Sequence, residues 1–161
     1  MRKWLAAGGM LAILVATPVI VLAGTGHGRS KVNCQDVAWR TAAISTTSSH
    51  FSAIPALKPE VSSIGPMSIT VSAALQGSPV AFRVRDISVA GNKVSPPGAV
   101  PFADGTEASS FSYTWTDPGI SAAERGHKFL VQWRRTSATG TATLTKADVV
   151  VVYQTEPGAC Q

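Results

Sequence analysis

The sequence predicts an all-β fold, a two-sheet antiparallel sandwich of about eight strands. Three observations carry that expectation. The first is composition: 45% of the residues are hydrophobic and only 14% charged, with 14 Gly and 10 Pro, a balance that suits short strands joined by many turns and not a helical bundle or a disordered chain. The second is alternation of apolar and polar residues with period two over several stretches, the mark of strands with one wet face. The third is how little reads as helix, since a turn around residues 121–125 is the only plausible one.

The 161 residues divide into three parts. Residues 1–23 open with a short cationic stretch, Met1-Arg-Lys-Trp, and run into an uncharged apolar segment from Leu5 to Ala23. They read as a signal peptide cleaved after Ala23, with small or apolar side chains at Val21-Leu22-Ala23 and Pro18 breaking the segment just before. The alternative is an uncleaved anchor, because the run approaches the roughly 20 residues that a membrane span needs. Thr25 stands where a lipidated cysteine would be. Residues 24–31 are a Gly-rich flexible linker containing His27, and residues 32–161 are the folded domain.

The strands follow in order. Residues 37–45 are the first. In 67–75 (MSITVSAAL) the apolar residues Met67, Ile69, Val71, Ala73 and Leu75 alternate with polar ones. After a turn at Gln76-Gly-Ser-Pro79, Val80, Phe82 and Val84 alternate with Arg83 and Arg85, and these two strands are expected to form a hairpin. Gly91-Asn92 marks another turn. Val100 and Phe102 make a short strand that the intervening proline assigns to an edge. Phe111, Tyr113 and Trp115 share one face of the next strand and are read as core. Phe129, Val131 and Trp133 alternate with Lys128, Gln132 and Arg134, with Leu130 on the polar face. Residues 141–145 form a further strand, and 149–153 (VVVVY) one that is buried on both faces or central.

His50-Phe51 to Ile54-Pro55, the strand running into Val71-Ser-Ala-Ala-Leu-Gln-Gly-Ser-Pro79, Phe129-Leu-Val-Gln-Trp-Arg134 and the final Val149 to Tyr153 occur in an order that resembles the jelly-roll domains of the tumour-necrosis-factor and complement globular-head type. The resemblance spans most of residues 32–161. It implies a jelly roll, often trimeric, used for recognition and not catalysis. The chain differs from the best-known members in its pair of cysteines and in carrying no collagen-like stalk.

Those two cysteines, Cys34 and Cys160, are the only ones. In an oxidising compartment they are expected to pair and staple the first strand to the last. The chain-entropy model assigns a loop of this length somewhat under ~5 kcal/mol.

The formal charge is +5; without Arg2 and Lys3 of the leader, 12 basic residues face 9 acidic ones, or +3, too little to imply nucleic acid. Arg83 and Arg85 project from the polar phase of one strand, Lys128 and Arg134 from that of another. If the strands are neighbours, the four form a basic patch able to bind an anionic surface polymer, a glycan or a protein, since guanidinium matches phosphate and carboxylate geometry. The plainer reading is a solvated face whose charges discourage edge aggregation. Trp39, Trp115 and Trp133 raise a carbohydrate-binding module as the main rival, which needs an exposed aromatic pair.

No motif marks an enzyme: there is no G-x-S-x-G, H-E-x-x-H or S-x-x-K. A hydrolase would need two or more of His50, His127, Asp86, Asp104 and Asp117 to converge in one cleft. His50 and His127 sit beside aromatics at expected loop edges and are read as surface or packing residues. Asp104-Gly-Thr-Glu107 is read as a turn and not a calcium loop. The expectation is therefore an exported protein, secreted or on the cell surface, that binds or self-assembles without turnover and needs no metal or cofactor.

Overall fold

In the computed structural model, the described residues are 30–88, 93–102, 109–119 and 126–160. The leader, most of the linker with His27, the turn at Gly91-Asn92, Asp104 to Glu107 and the helical turn at 121–125 lie outside them.

The described residues form ten strands and no helix. They are β1 (Val32–Arg40), β2 (Ile44–Thr46), β3 (Ser52–Ala53), β4 (Glu60–Ser62), β5 (Met67–Gly77), β6 (Val80–Asp86), β7 (Val100–Phe102), β8 (Ser109–Asp117), β9 (Gly126–Arg135) and β10 (Ala142–Thr155). One antiparallel sheet runs β1-β10-β5-β8, with β2 also on β10. The other runs β3-β9-β6-β7, with β4 also on β9. From β4 to β10 the chain changes sheet at every step except β6 to β7, the alternation that makes a two-sheet jelly-roll sandwich.

The core lies between the sheets. Phe82 of β6 stacks on Phe111 of β8 across the gap, with ring centroids 4.6 Å apart. Trp115, Trp133, Phe129 and Tyr153 are buried around them. Removing an aromatic ring from such a site costs about 3–5 kcal/mol through lost transfer energy and the cavity left behind.

Three expectations need correction. The strands β5 and β6 do not form a hairpin: they belong to different sheets. Their apolar phases face each other across the core, so stacking buries both, and the connection is tied to the β9–β10 turn by Ser78 N to Thr141 O and Thr136 N to Pro79 O, both 2.9 Å. Gly77 makes the crossing possible, because at φ 89° a Cβ would lie 2.3 Å from Thr141 O. Secondly, the opening strand starts at Val32 and stops at Arg40, with Ile44–Thr46 a separate strand on the same neighbour. Thirdly, the two closing strands are one, continuous through a bulge between Leu144 and Lys146. Of the two readings of residues 149–153, the central one holds: the strand is interior to its sheet and covered on one face, with Val149, Val151 and Tyr153 buried and Val152 45% exposed.

Cys34 and Cys160 are bonded, with Cα atoms 5.6 Å apart. Cys34 sits on β1 opposite Tyr153 of β10, so the bridge ties the first strand to the segment that follows the last. A disulfide of this kind is compatible with an extracytoplasmic location, and no described helix is long and apolar enough to cross a membrane.

Candidate functional site

The expected basic patch depends on two strands being neighbours, and they are. β6 and β9 pair antiparallel with Ala81 opposite Arg134, Arg83 opposite Gln132 and Arg85 opposite Leu130. Phe82, Val84, Val131 and Trp133 point into the core; the alternation of β-strands therefore sends Arg83, Arg85, Lys128 and Arg134 to the outer face.

Three of the four form one cluster. The Arg83 guanidinium lies 4.0 Å from the centre of the Phe51 ring, and that of Arg134 lies 4.8 Å from the same ring. Arg83 Nε also donates to Gln132 Oε1 at 2.8 Å, and Arg134 donates to the Ser49 carbonyl. These contacts hold two planar forks against one aromatic ring, an arrangement in which cation–π attraction and fixed rotamers reinforce each other. Burial and the like charges of Arg85 and Arg134 push the Arg83 pKa down. Among the described residues no carboxylate ion-pairs with any of the three. Lys128 differs, since its ammonium pairs with Glu60 on β4, with both side chains about half exposed.

The tryptophans divide as their phase predicts. Trp115 and Trp133 are core residues, whereas Trp39 is 66% exposed on edge strand β1, one ring and not an exposed pair. His50 is an exposed loop residue whose backbone bonds Ser48. Asp104 lies outside the described residues.

The remaining titratable candidates come together in the interior. His127 is neither a surface nor a loop residue: it lies on β9, and both its side chain and that of Asp86 are fully buried. His127 Nδ1 donates to Asp86 Oδ2 at 2.6 Å. Asp86 Oδ1 accepts from the Ser88 amide at 2.9 Å, from the Ser88 hydroxyl and from the Lys128 amide. Burial alone would raise the Asp86 pKa, but the hydrogen bonds from Ser88 and His127 outweigh it and hold the carboxyl below its ordinary value. Asp117, at the end of β8 in the opposite sheet, is also buried. Its Oδ1 accepts from Gly119 N at 2.9 Å, a turn that requires glycine because at φ 72° a Cβ would lie 2.5 Å from the Gly65 carbonyl oxygen.

The sequence did carry a signal for this convergence. Asp86 follows Val80, Phe82 and Val84 in phase; Asp117 follows Phe111, Tyr113 and Trp115; His127 precedes Phe129, Val131 and Trp133. Each prolongs an apolar phase by one titratable residue, and that phase faces inward throughout except at Tyr113, which is exposed. No model of a protein family matches the chain, and no curated protein does.

Proposed function

We propose that this chain is an exported, non-enzymatic β-sandwich that binds an anionic polymer at the cell surface through Arg83, Arg85 and Arg134. The observation that carries the reading is the arginine cluster itself: three guanidinium groups on one outer face, without a neutralising carboxylate among the described residues and with two of them against the Phe51 ring. Like charges held together disfavour the free surface and favour one on which an anion has settled. Preset forks lower the ordering cost of binding, and their planar geometry suits phosphate and carboxylate groups repeated along a chain.

Export is supported by the N-terminal segment as read from sequence and by the Cys34–Cys160 bridge. The non-enzymatic reading is supported by the setting of His127, whose ring is closed in the core against a carboxylate that Ser88 and Lys128 already occupy. The exposed aromatic residues Trp39 and Tyr113 stand on the two opposite edge strands of their sheet, β1 and β8, and so do not form the aromatic pair that the carbohydrate-binding alternative needs.

The test is retention on immobilised polyphosphate, an acidic glycan and a neutral glycan in parallel. Retention on the acidic supports alone is expected; equal retention on the neutral glycan, or hydrolysis of any support that is lost on replacing His50 or His127, overturns the reading. Intact-mass measurement of the exported protein is expected to show loss of residues 1–23. A full-length mass confined to membranes identifies an anchor instead.

A further inference from the structure

The geometry points to a binding site for a divalent transition-metal ion, Zn²⁺ by its donor set, at Asp86, Asp117 and His127 in the interior of the sandwich. It is independent of the basic outer face. One ligand atom from each of the three residues lies within 4.8 Å of the others. Asp86 and His127 come from one sheet and Asp117 from the other, so an ion here ties the sheets together at that end of the core.

Three residues in proximity do not make a site; the unpartnered atoms do. His127 Nε2 and Asp117 Oδ2 are buried and have no hydrogen-bond partner, on residues that are 2% and 0% exposed. Each orphan belongs to a side chain whose other polar atom is already fixed, Nδ1 by Asp86 and Oδ1 by Gly119. A buried carboxylate oxygen and a buried ring nitrogen left unpaired cost free energy, and interiors rarely tolerate them without a ligand. Because Asp86 bonds Nδ1, it lies on the far side of the ring from Nε2; an ion held by all three residues therefore takes the place of the proton between Nδ1 and Asp86 Oδ2, and the unpartnered Asp117 Oδ2 supplies the third ligand.

An imidazole with carboxylate oxygens suits Zn²⁺, whereas Ca²⁺ takes six to eight oxygens. Donors on one zinc lie at most about 4.2 Å apart, so movements of about an ångström bring the set to bonding distance. A cavity of about 400 Å³ lined by Glu60, Ser62, Ser88 and Lys128 adjoins His127.

The experiment uses the folded, disulfide-intact domain after chelator treatment, titrated with Zn²⁺ by calorimetry and followed by thermal unfolding, beside Asp117→Asn, the surface control Glu60→Gln and the exposed-histidine control His50→Ala. Uptake of one Zn²⁺ per chain with a rise in Tm is expected. Asp117→Asn should weaken uptake at least tenfold, and neither control should change it. Should Asp117→Asn fail to fold, the Co²⁺ spectrum of the wild-type chain decides: tetrahedral or five-coordinate absorption from nitrogen and oxygen ligands supports the site, and an octahedral aqua spectrum overturns it. No uptake by the folded wild-type chain at micromolar Zn²⁺, or uptake lost only in His50→Ala, also overturns it.

Discussion

The strands β6 and β9 carry two charge clusters of opposite kind on their two faces. Outward, Arg83 and Arg134 lie against Phe51 with Arg85 nearby on the same face; inward, Asp86 and His127 bond each other and meet Asp117 of the opposite sheet. Arg85 and Asp86 are adjacent, as are His127 and Lys128, yet the pleat sends each pair to opposite solvents. The difference teaches where each group's energetics come from. The outer cluster is open to water, with Arg85 exposed and Arg83 and Arg134 half-buried, so its mutual repulsion is partly screened and an anion can reach it. The inner cluster is cut off from water, so every polar atom must be matched inside the protein or by something the protein takes up.

Breaking the inner cluster should have the largest effect. Asp86→Ala leaves His127 buried without its partner and frees Ser88 and the Lys128 amide, and removing one partner of a buried pair costs about 3–5 kcal/mol. Urea denaturation followed by tryptophan fluorescence measures it; a loss under about 1 kcal/mol, the usual range for an exposed pair, would mean that the pair is wet in solution.

Acid sharpens the same contrast. Because the folded-state pKa of Asp86 is depressed, its stabilisation is full above the unfolded carboxylate value of about 3.9 and is lost as pH falls through that value toward the folded one. The unfolding free energy should therefore fall below about pH 4, with a shallower slope in Asp86→Asn than in the wild type. Identical slopes would place the acid sensitivity elsewhere.

The outer face should behave differently. Replacing Arg83 and Arg85 by Ala is expected to change stability by about 0.5 kcal/mol or less per site, as surface substitutions do, while sharply reducing retention on polyphosphate. The smallest effect belongs to Lys128→Ala: Glu60 already neutralises Lys128 across an exposed pair, worth about 0.2–1 kcal/mol. Its retention should stay near wild type. A loss matching that of the arginine pair would extend the binding face toward β4.

Much of the fold was legible because period two marks each inward face, and Met67 to Leu75, Val80 to Arg85 and Phe129 to Arg134 appear as strands where their alternation places them. Partnership was not legible. A turn such as Gly77-Ser-Pro79 looks the same whether the next strand lies beside the last or crosses above it, and only the shared core between Phe82 and Phe111 distinguishes the two. Lys146 and Asp148 interrupt the apolar pattern of β10 in the sequence, yet the strand runs on through a bulge between Leu144 and Lys146. The arginines were legible as a patch conditional on neighbouring strands. The inner cluster was written in the same phase, but phase alone does not show that three inward ends meet at one end of a sandwich.

The most direct test is the salt dependence of polyphosphate affinity, measured beside urea unfolding on the same wild-type and Arg83→Ala/Arg85→Ala proteins. If the outer cluster binds and the inner face carries the fold, the slope of log affinity against log salt falls by about 1 for each arginine removed, and the unfolding midpoint barely moves. An unchanged slope, or a double variant that unfolds, contradicts the division of labour between the two faces of β6 and β9.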